Sequence, residues 1–154
     1  KVGLGRLPAG WGSGWNRSEP DSRGQGLTSD RWRGAVQKEW QIANPDLRMG
    51  GPSLGWLGAV RATSKAVEPG LPRMETPTLM LSGGLDRNAD DGEQARICKA
   101  MAHCTRLSIP RGRHALHLES DAARKPWLAA VDAFVRTRAG TRAFLIGPTI
   151  DHGL

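Results

Sequence analysis

The chain has 154 residues, 38% of them hydrophobic, and a formal net charge of +7. This length is enough for one domain. No apolar run approaches the roughly 20 residues of a membrane span, and no charged and then apolar signal peptide opens the chain. Basic residues are scattered from Arg6 to Arg142 without a nucleic-acid-binding motif, so we expect no nucleic-acid partner. A weaker interpretation of the positive charge is that it attracts the surface of the chain to anionic lipid headgroups.

The first half of the chain predicts a loop followed by a helix. Residues 1–26 hold seven glycines, with Trp11 among them, and read as loop. A helix then starts with Thr28 or Ser29 as its N-cap and Asp30 in its first turn. Its apolar residues at i, i+4 and i+8 predict a buried stripe and are Trp32, Val36 and Trp40.

A strand, a helix and a second strand follow. Residues 78–82 form a short apolar run that leaves through two glycines, which suits a buried parallel strand. Asp90 or Asp91 can cap the helix, and residues 106–109 form the second strand. The helix residues that share one core-facing side are Gln94, Cys98 and Met101.

A carboxylate and a histidine follow the two predicted strands. Because a strand-helix-strand unit with a short connection forms one parallel sheet, the loops carrying Asp86 and His114 emerge at the same edge. An acid that orients an imidazole and an imidazole that takes a proton are two of the three members of a nucleophilic triad. Asp90 and Asp91 remain rival carboxylates, and His117 is the fallback for the histidine.

The final helix is predicted to begin with Pro126 at its first position. Its core-facing stripe consists of Trp127, Leu128, Val131, Phe134 and Val135. We have no interpretation for the tail that contains residues 144–146 and His152.

Two groups of motifs carry a family resemblance. The pattern P-x-L-x-L-x-G-x-x-D, then Q and C in a helix, then I-P-x-x-x-H and a nearby Glu, occurs at Pro77, Leu79, Leu81, Gly83, Asp86, Gln94, Cys98, Ile109, Pro110, His114 and Glu119. It resembles the end of an α/β-hydrolase of the lysophospholipase and monoacylglycerol-lipase type (serine aminopeptidase S33-type). Residues 27–33 and 50–56 resemble the L-T-x-D-x-x-R and G-G-P-[ST]-x-G-W motifs in the lid of that group.

The resemblance implies an α/β fold, namely the C-terminal portion of an α/β-hydrolase with its last two parallel strands and flanking helices, preceded by a helical lid. Residues 1–26 are an unassigned glycine-rich loop and residues 27–72 are the lid. Residues 73–138 are the C-terminal core segment, and residues 139–154 are an unassigned tail.

The resemblance also implies a Ser-Asp-His hydrolase of lysophospholipids or monoacylglycerols, with Asp86 and His114 catalytic and no cofactor or metal. Glu119 is expected to be a hydrogen-bond anchor for the turn after it. We read the chain as the C-terminal part of a larger protein, with the serine and the oxyanion loop outside it, so that the chain alone is inactive. A non-catalytic basic module that binds an anionic lipid surface is the alternative.

Ser53 literally satisfies the G-x-S-x-G nucleophile motif in residues 51–55. It precedes Asp86 by only 33 residues, too few for the helix, strand and lid that separate nucleophile from acid. Pro52 also fixes φ and removes an N–H in a turn that needs unusual backbone angles. We therefore interpret Ser53 as the N-cap of the helix that contains Trp56, Leu57 and Val60.

The two cysteines, Cys98 and Cys104, are interpreted as buried free thiols and not as a disulfide or a metal site. The expected location is the cytoplasm, with peripheral contact at the inner face of the membrane as an addition. The oligomeric state does not follow from the sequence.

Overall fold

The computed structural model describes residues 3–9 and 14–139, so the expectations for Trp11 and for the tail after Ala139 lie outside the described residues. The helices are α1 (Arg31–Ala43), α2 (Leu54–Val67), α3 (Asp91–Ala100) and α4 (Asp121–Ala139), and the strands are β1 (Thr78–Gly83) and β2 (Cys104–Ile109). Short 3-10 helices occur at Leu4–Arg6, Pro45–Leu47, Glu68–Arg73 and Leu116–Leu118.

The two strands form a parallel pair connected through α3, as the sequence predicts. Thr78 lies opposite Cys104 and Gly83 lies opposite Ile109, so both strands are longer than expected. The pairing starts early because the N–H of Thr78 donates to the carbonyl oxygen of His103, 2.8 Å away, just before β2. The unit therefore brings the carboxyl ends of both strands to one edge.

One small core joins the sheet to the end of the chain. Its buried members are Ile109, Leu116 and Ala123, and Leu81 and Trp127 pack against it. These residues come from both strands, from the 3-10 helix after β2 and from α4. The segment after β2, which contains the candidate histidine, is therefore held between the sheet and α4.

Helix α4 begins five residues before the predicted start, and Pro126 lies inside it. The first turn forms earlier because the amides of Ala123 and Arg124 both donate to the carbonyl oxygen of Ser120, at 2.9 and 2.8 Å. The predicted core stripe is only partly buried, since Leu128 and Val135 are exposed. No described helix, α4 included, is long and apolar enough to cross a membrane.

The predicted buried stripe of α1 is wrong. Trp32 and Trp40 are 78% and 61% exposed, and Val36 between them is exposed as well. The helix packs through Gly34 instead, where an added Cβ would lie 3.0 Å from the Cγ2 atom of Thr28. The absence of a side chain at Gly34 permits this close approach, which turns the apolar stripe outward.

The N-cap of α1 is Asp30, and not Thr28 or Ser29 as predicted. The Asp30 carboxylate accepts from the amides of Trp32 and Arg33, at 3.0 and 2.9 Å. The hydroxyls of Thr28 and Ser29 are turned toward the segment after β2 instead, where they donate to the Leu118 carbonyl oxygen and to the Glu119 carboxylate. A long-range contact has therefore moved the cap by one or two residues.

The expectation of two free thiols is also wrong, because Cys98 and Cys104 form a disulfide. Cys98 lies in the last turn of α3 and Cys104 is the first residue of β2. The short turn between them folds back and brings their Cα atoms to 5.3 Å, within the range that a disulfide spans. The two cysteines are six residues apart in the sequence, and this spacing alone does not indicate that the chain folds back between them.

Candidate active site

Backbone hydrogen bonds join the loops that follow β1 and β2. The amide of Gly84 donates to the carbonyl oxygen of Ile109 at 2.8 Å, and the amide of Leu85 donates to that of Gly112 at 2.9 Å. These bonds continue the contact between the strands beyond their ends. The first loop carries Asp86 and the second leads into His114, so the two side chains meet at this edge.

The structure places His114 against Asp86. Its Nδ1 atom lies 3.0 Å from Oδ2 of Asp86. The Asp86 side chain is only 6% exposed, whereas that of His114 is 48% exposed. The carboxylate is thus enclosed behind the ring while the imidazole remains accessible from solvent.

Asp86 is held in its ionised form. Burial alone would raise its pKa, but the Asn88 amide, the His114 ring and the Ala89 amide together hold the pKa below its ordinary value. The Oδ1 atom accepts from the amides of Asn88 and Ala89, at 2.8 and 3.2 Å. An ionised carboxylate only accepts, so Nδ1 of His114 must carry the proton that it shares with Oδ2. In the neutral ring Nε2 then bears the lone pair of a base.

The rival carboxylates have other partners. Asp90 caps α3 and accepts from the amide of Glu93 at 2.7 Å. Asp91 forms an ion pair with the guanidinium group of Arg106 on β2. Neither is the carboxylate that the structure brings to His114.

The fallback histidine lies elsewhere. The ring of His117 borders a cavity of about 490 Å³ between α1 and the 3-10 helix after β2. The apolar residues that line this cavity are Val36, Trp40, Leu47 and Leu118. His117 therefore adjoins an apolar space next to the histidine loop, without being the partner of Asp86.

Ser53 is the N-cap of α2, as the sequence predicts. Its hydroxyl accepts from the amide of Trp56 at 3.1 Å. Its φ of −89° and ψ of 161° are ordinary extended values, whereas a nucleophile elbow is a strained turn between a strand and a helix. The segment before it is paired with residues 7–9, since the amide of Ala9 donates to the Pro52 carbonyl oxygen at 2.9 Å.

Glu119 has a wider role than the predicted anchor of its own turn. It is fully buried, and its carboxylate accepts from the amides of Ser29, Arg113 and Ser120 and from the Ser29 hydroxyl. Burial alone would raise its pKa, but the hydroxyl and amide groups of Ser29 and the amides of Arg113 and Ser120 keep the pKa below its ordinary value. The contact with Ser29 spans 90 residues, and no local pattern pairs the two.

A family model described as serine aminopeptidase, S33, matches residues 16–121. No curated protein matches the chain in a sequence comparison. The matched range contains both strands, α3 and the contact between Asp86 and His114. The parallel pair with its flanking helices is consistent with part of an α/β-hydrolase fold. Within residues 3–9 and 14–139 no group of three or more His, Cys, Asp or Glu residues could hold a metal ion.

Proposed function

Since the chain belongs to the serine aminopeptidase S33 family, within the α/β-hydrolases, we propose that it supplies the acid and the base of a Ser-Asp-His carboxylic-ester hydrolase. The observation that carries this proposal is the 3.0 Å contact between Nδ1 of His114 and Oδ2 of Asp86. The enclosed carboxylate and the accessible ring fit the orienting and proton-transferring roles. We propose monoacylglycerols and lysophospholipids as the substrates.

The proposed reaction uses each nitrogen of His114 for one task. Nε2 takes the hydroxyl proton as the serine oxygen bonds to the carbonyl carbon of the ester, and Asp86 stabilises the imidazolium through Nδ1. The imidazolium then returns the proton to the leaving alkoxide, which gives an acyl-enzyme and an alcohol. Water repeats the sequence on the acyl-enzyme and releases the carboxylic acid. Asp86 stays ionised throughout.

We place the nucleophile outside this chain. Ser53 is the serine that matches the nucleophile motif, but its hydroxyl is engaged in the α2 cap and its backbone is unstrained. Among the described residues, no serine hydroxyl is hydrogen-bonded to the His114 ring. These observations favour a serine and an oxyanion loop in further polypeptide sequence.

A fluorophosphonate probe, which labels activated serines, tests this placement. We expect the 154-residue chain to remain unlabelled, and the protein from the complete reading frame to be labelled at a serine upstream of residue 1. Peptide mass spectrometry locates the label. Labelling of Ser53 that disappears in His114→Ala would contradict the placement and make Ser53 the nucleophile.

We propose an acyl substrate because apolar surface lies next to the histidine loop. Helix α1 contributes Val36 and Trp40 to the cavity beside His117. In this proposal residues 27–72 are the lid, and its apolar side chains cover an acyl chain. Hydrolysis of monoacylglycerol and lysophospholipid, compared with an aminoacyl nitroanilide, tests the substrate class. Cleavage of the anilide alone would replace the lipid esterase with an aminopeptidase.

The second candidate is a non-catalytic module that binds an anionic lipid surface, as a peripheral protein at the cytoplasmic face of the membrane. It is favoured by the exposure of Trp32, Trp40 and Trp56, since tryptophan is enriched at membrane interfaces. Arg31 lies beside the first of these, 5.4 Å from the Trp32 ring. Sedimentation with anionic and zwitterionic vesicles tests this candidate. Binding to anionic vesicles that Trp32→Ala abolishes would support it, and no binding would reject it.

A further inference from the structure

The backbone on both sides of His114 is held by the segment that precedes α1. The amide of Ala115 donates to the carbonyl oxygen of Leu27 at 2.8 Å. The amide of Arg113 donates to Oε1 of Glu119 at 3.0 Å, and the same carboxylate is bound by Ser29. His114 is therefore flanked by two amides whose acceptors are fixed by residues 27–29.

The contact between these segments is extensive. The Thr28 hydroxyl donates to the carbonyl oxygen of Leu118 at 2.9 Å. Arg33 donates to the carbonyl oxygen of Glu119 at 2.7 Å and forms an ion pair with Asp121 at 2.6 Å. The Glu119 carboxylate lies in the middle of this contact and is its fully buried charged group. Its removal would leave several inward-facing donors without an acceptor.

From this geometry we infer that Glu119 is a positioning residue. Its carboxylate binds both the Arg113 amide and Ser29, and in this way it keeps the His114 ring aligned with Asp86. The inference rests on the proposed role of His114 as the base. The carboxylate acts through the neighbouring backbone and has no contact with the reacting atoms.

The physical requirement is for a group that only accepts hydrogen bonds. Both oxygens of Glu119 face donors, and Ser29 contributes an amide and a hydroxyl. A glutamine has the same shape, but its NH₂ group would face at least one of these donors. Glu119→Gln should therefore break at least one of the hydrogen bonds that join Arg113, Ser29 and Ser120, even where the side-chain volume is preserved.

The test is the hydrogen-bonding state of His114 in NMR spectra of the imidazole nitrogens, recorded on the 154-residue chain. Asp86→Asn provides the reference for a ring that has lost its orienting carboxylate. We expect Glu119→Gln to keep the helical circular dichroism of the parent but to lose the protonated Nδ1 signal, approaching the reference spectrum. The control Glu93→Gln makes the same change at a carboxylate that is 60% exposed, and we expect its spectrum to match the parent.

A folded Glu119→Gln variant with the parent His114 spectrum would overturn the inference and leave Glu119 a purely structural residue. If this variant does not fold, Ser29→Ala replaces it, because it removes the hydroxyl donor and keeps the buried charge in place. We then expect a partial loss of the same signal, and an unchanged signal would equally overturn the inference. Neither readout requires catalysis, so a failure of the proposed hydrolase activity would be recognised separately.

Discussion

Gly83, the last residue of β1, packs directly against Gly112 in the loop that leads to His114. A Cβ atom added at Gly83 would lie 2.6 Å from the carbonyl oxygen of Gly112. Because that oxygen also accepts from the amide of Leu85 at 2.9 Å, it cannot move away without breaking the contact between the two loops. The glycine thus permits the approach on which the Asp86–His114 contact depends.

We therefore expect Gly83→Ala to lower the free energy of unfolding by about 1–3 kcal/mol, the usual cost of an overpacked site. Urea denaturation measures this change. Gly58→Ala is the matched control, since Gly58 lies inside α2 with no atom within 4 Å of an added Cβ. There alanine should raise the stability by roughly 0.5–1 kcal/mol. Equal effects of the two substitutions would contradict the close approach at Gly83.

Asp86 should matter for stability as well as for the proposed chemistry. Asp86→Ala removes the acceptor for the amides of Asn88 and Ala89 in a site where the carboxylate is enclosed. We expect a loss of about 1–3 kcal/mol in the free energy of unfolding. The control Asp132→Ala breaks an exposed helix ion pair with Arg136 and should cost less than about 1 kcal/mol. A smaller loss of stability in Asp86→Ala than in Asp132→Ala would contradict the enclosure of the Asp86 carboxylate.

The two perturbed carboxylates predict a loss of stability in acid. The pKa of Glu119 in the folded chain lies below its ordinary 4.5, and that of Asp86 lies below 3.8. The contribution of these two carboxylates to the free energy of unfolding is fully present above their ordinary pKa values, which they have in the unfolded chain. It is lost as the pH falls through the lower pKa values of the folded chain. We expect the melting temperature to fall as the pH drops below about 4.5, and to fall less steeply in Glu119→Gln. The same slope in the variant would contradict the account of Glu119.

The disulfide predicts that the folded chain has no reactive thiol among its cysteines. A thiol reagent applied to the unreduced protein in denaturant should find none, and reduction should expose Cys98 and Cys104. The free energy of unfolding should fall by about 2 kcal/mol on reduction, as expected for a short closed loop. Cys104→Ser should have the same effect without a reductant. Two reactive thiols before reduction would restore the interpretation of free cysteines.

Local patterns in the sequence predicted the strand-helix-strand unit well. The apolar run before Asp86, the cap at Asp90 and the turn before His114 are local features, and a parallel connection constrains where their loops emerge. The Ser53 cap was predictable for the same reason, because its hydroxyl bonds an amide three residues away. The contact between Asp86 and His114 followed from these local features and the topology.

Features that depend on distant packing were not predictable. The apolar stripe of α1 has helical spacing, but the close approach at Gly34 turns Trp32 and Trp40 to the surface. The α1 cap moved to Asp30 because Ser29 binds Glu119, 90 residues away. The division of the chain into lid and core segments, and the catalytic roles of Asp86 and His114, stay predictions. The cytoplasmic location stays a prediction as well.

The most direct test of the central claim is the rate of ester hydrolysis by the protein from the complete reading frame. We predict that His114→Ala lowers kcat by about 10⁶-fold and that Asp86→Ala lowers it by about 10⁴-fold, as expected for the base and the orienting acid of a triad. His103→Ala is the control and should leave kcat within about one order of magnitude, since that exposed side chain directly precedes β2, at the end of the strand opposite to His114. Hydrolysis that survives both His114→Ala and Asp86→Ala would contradict the claim that this pair is the catalytic acid and base.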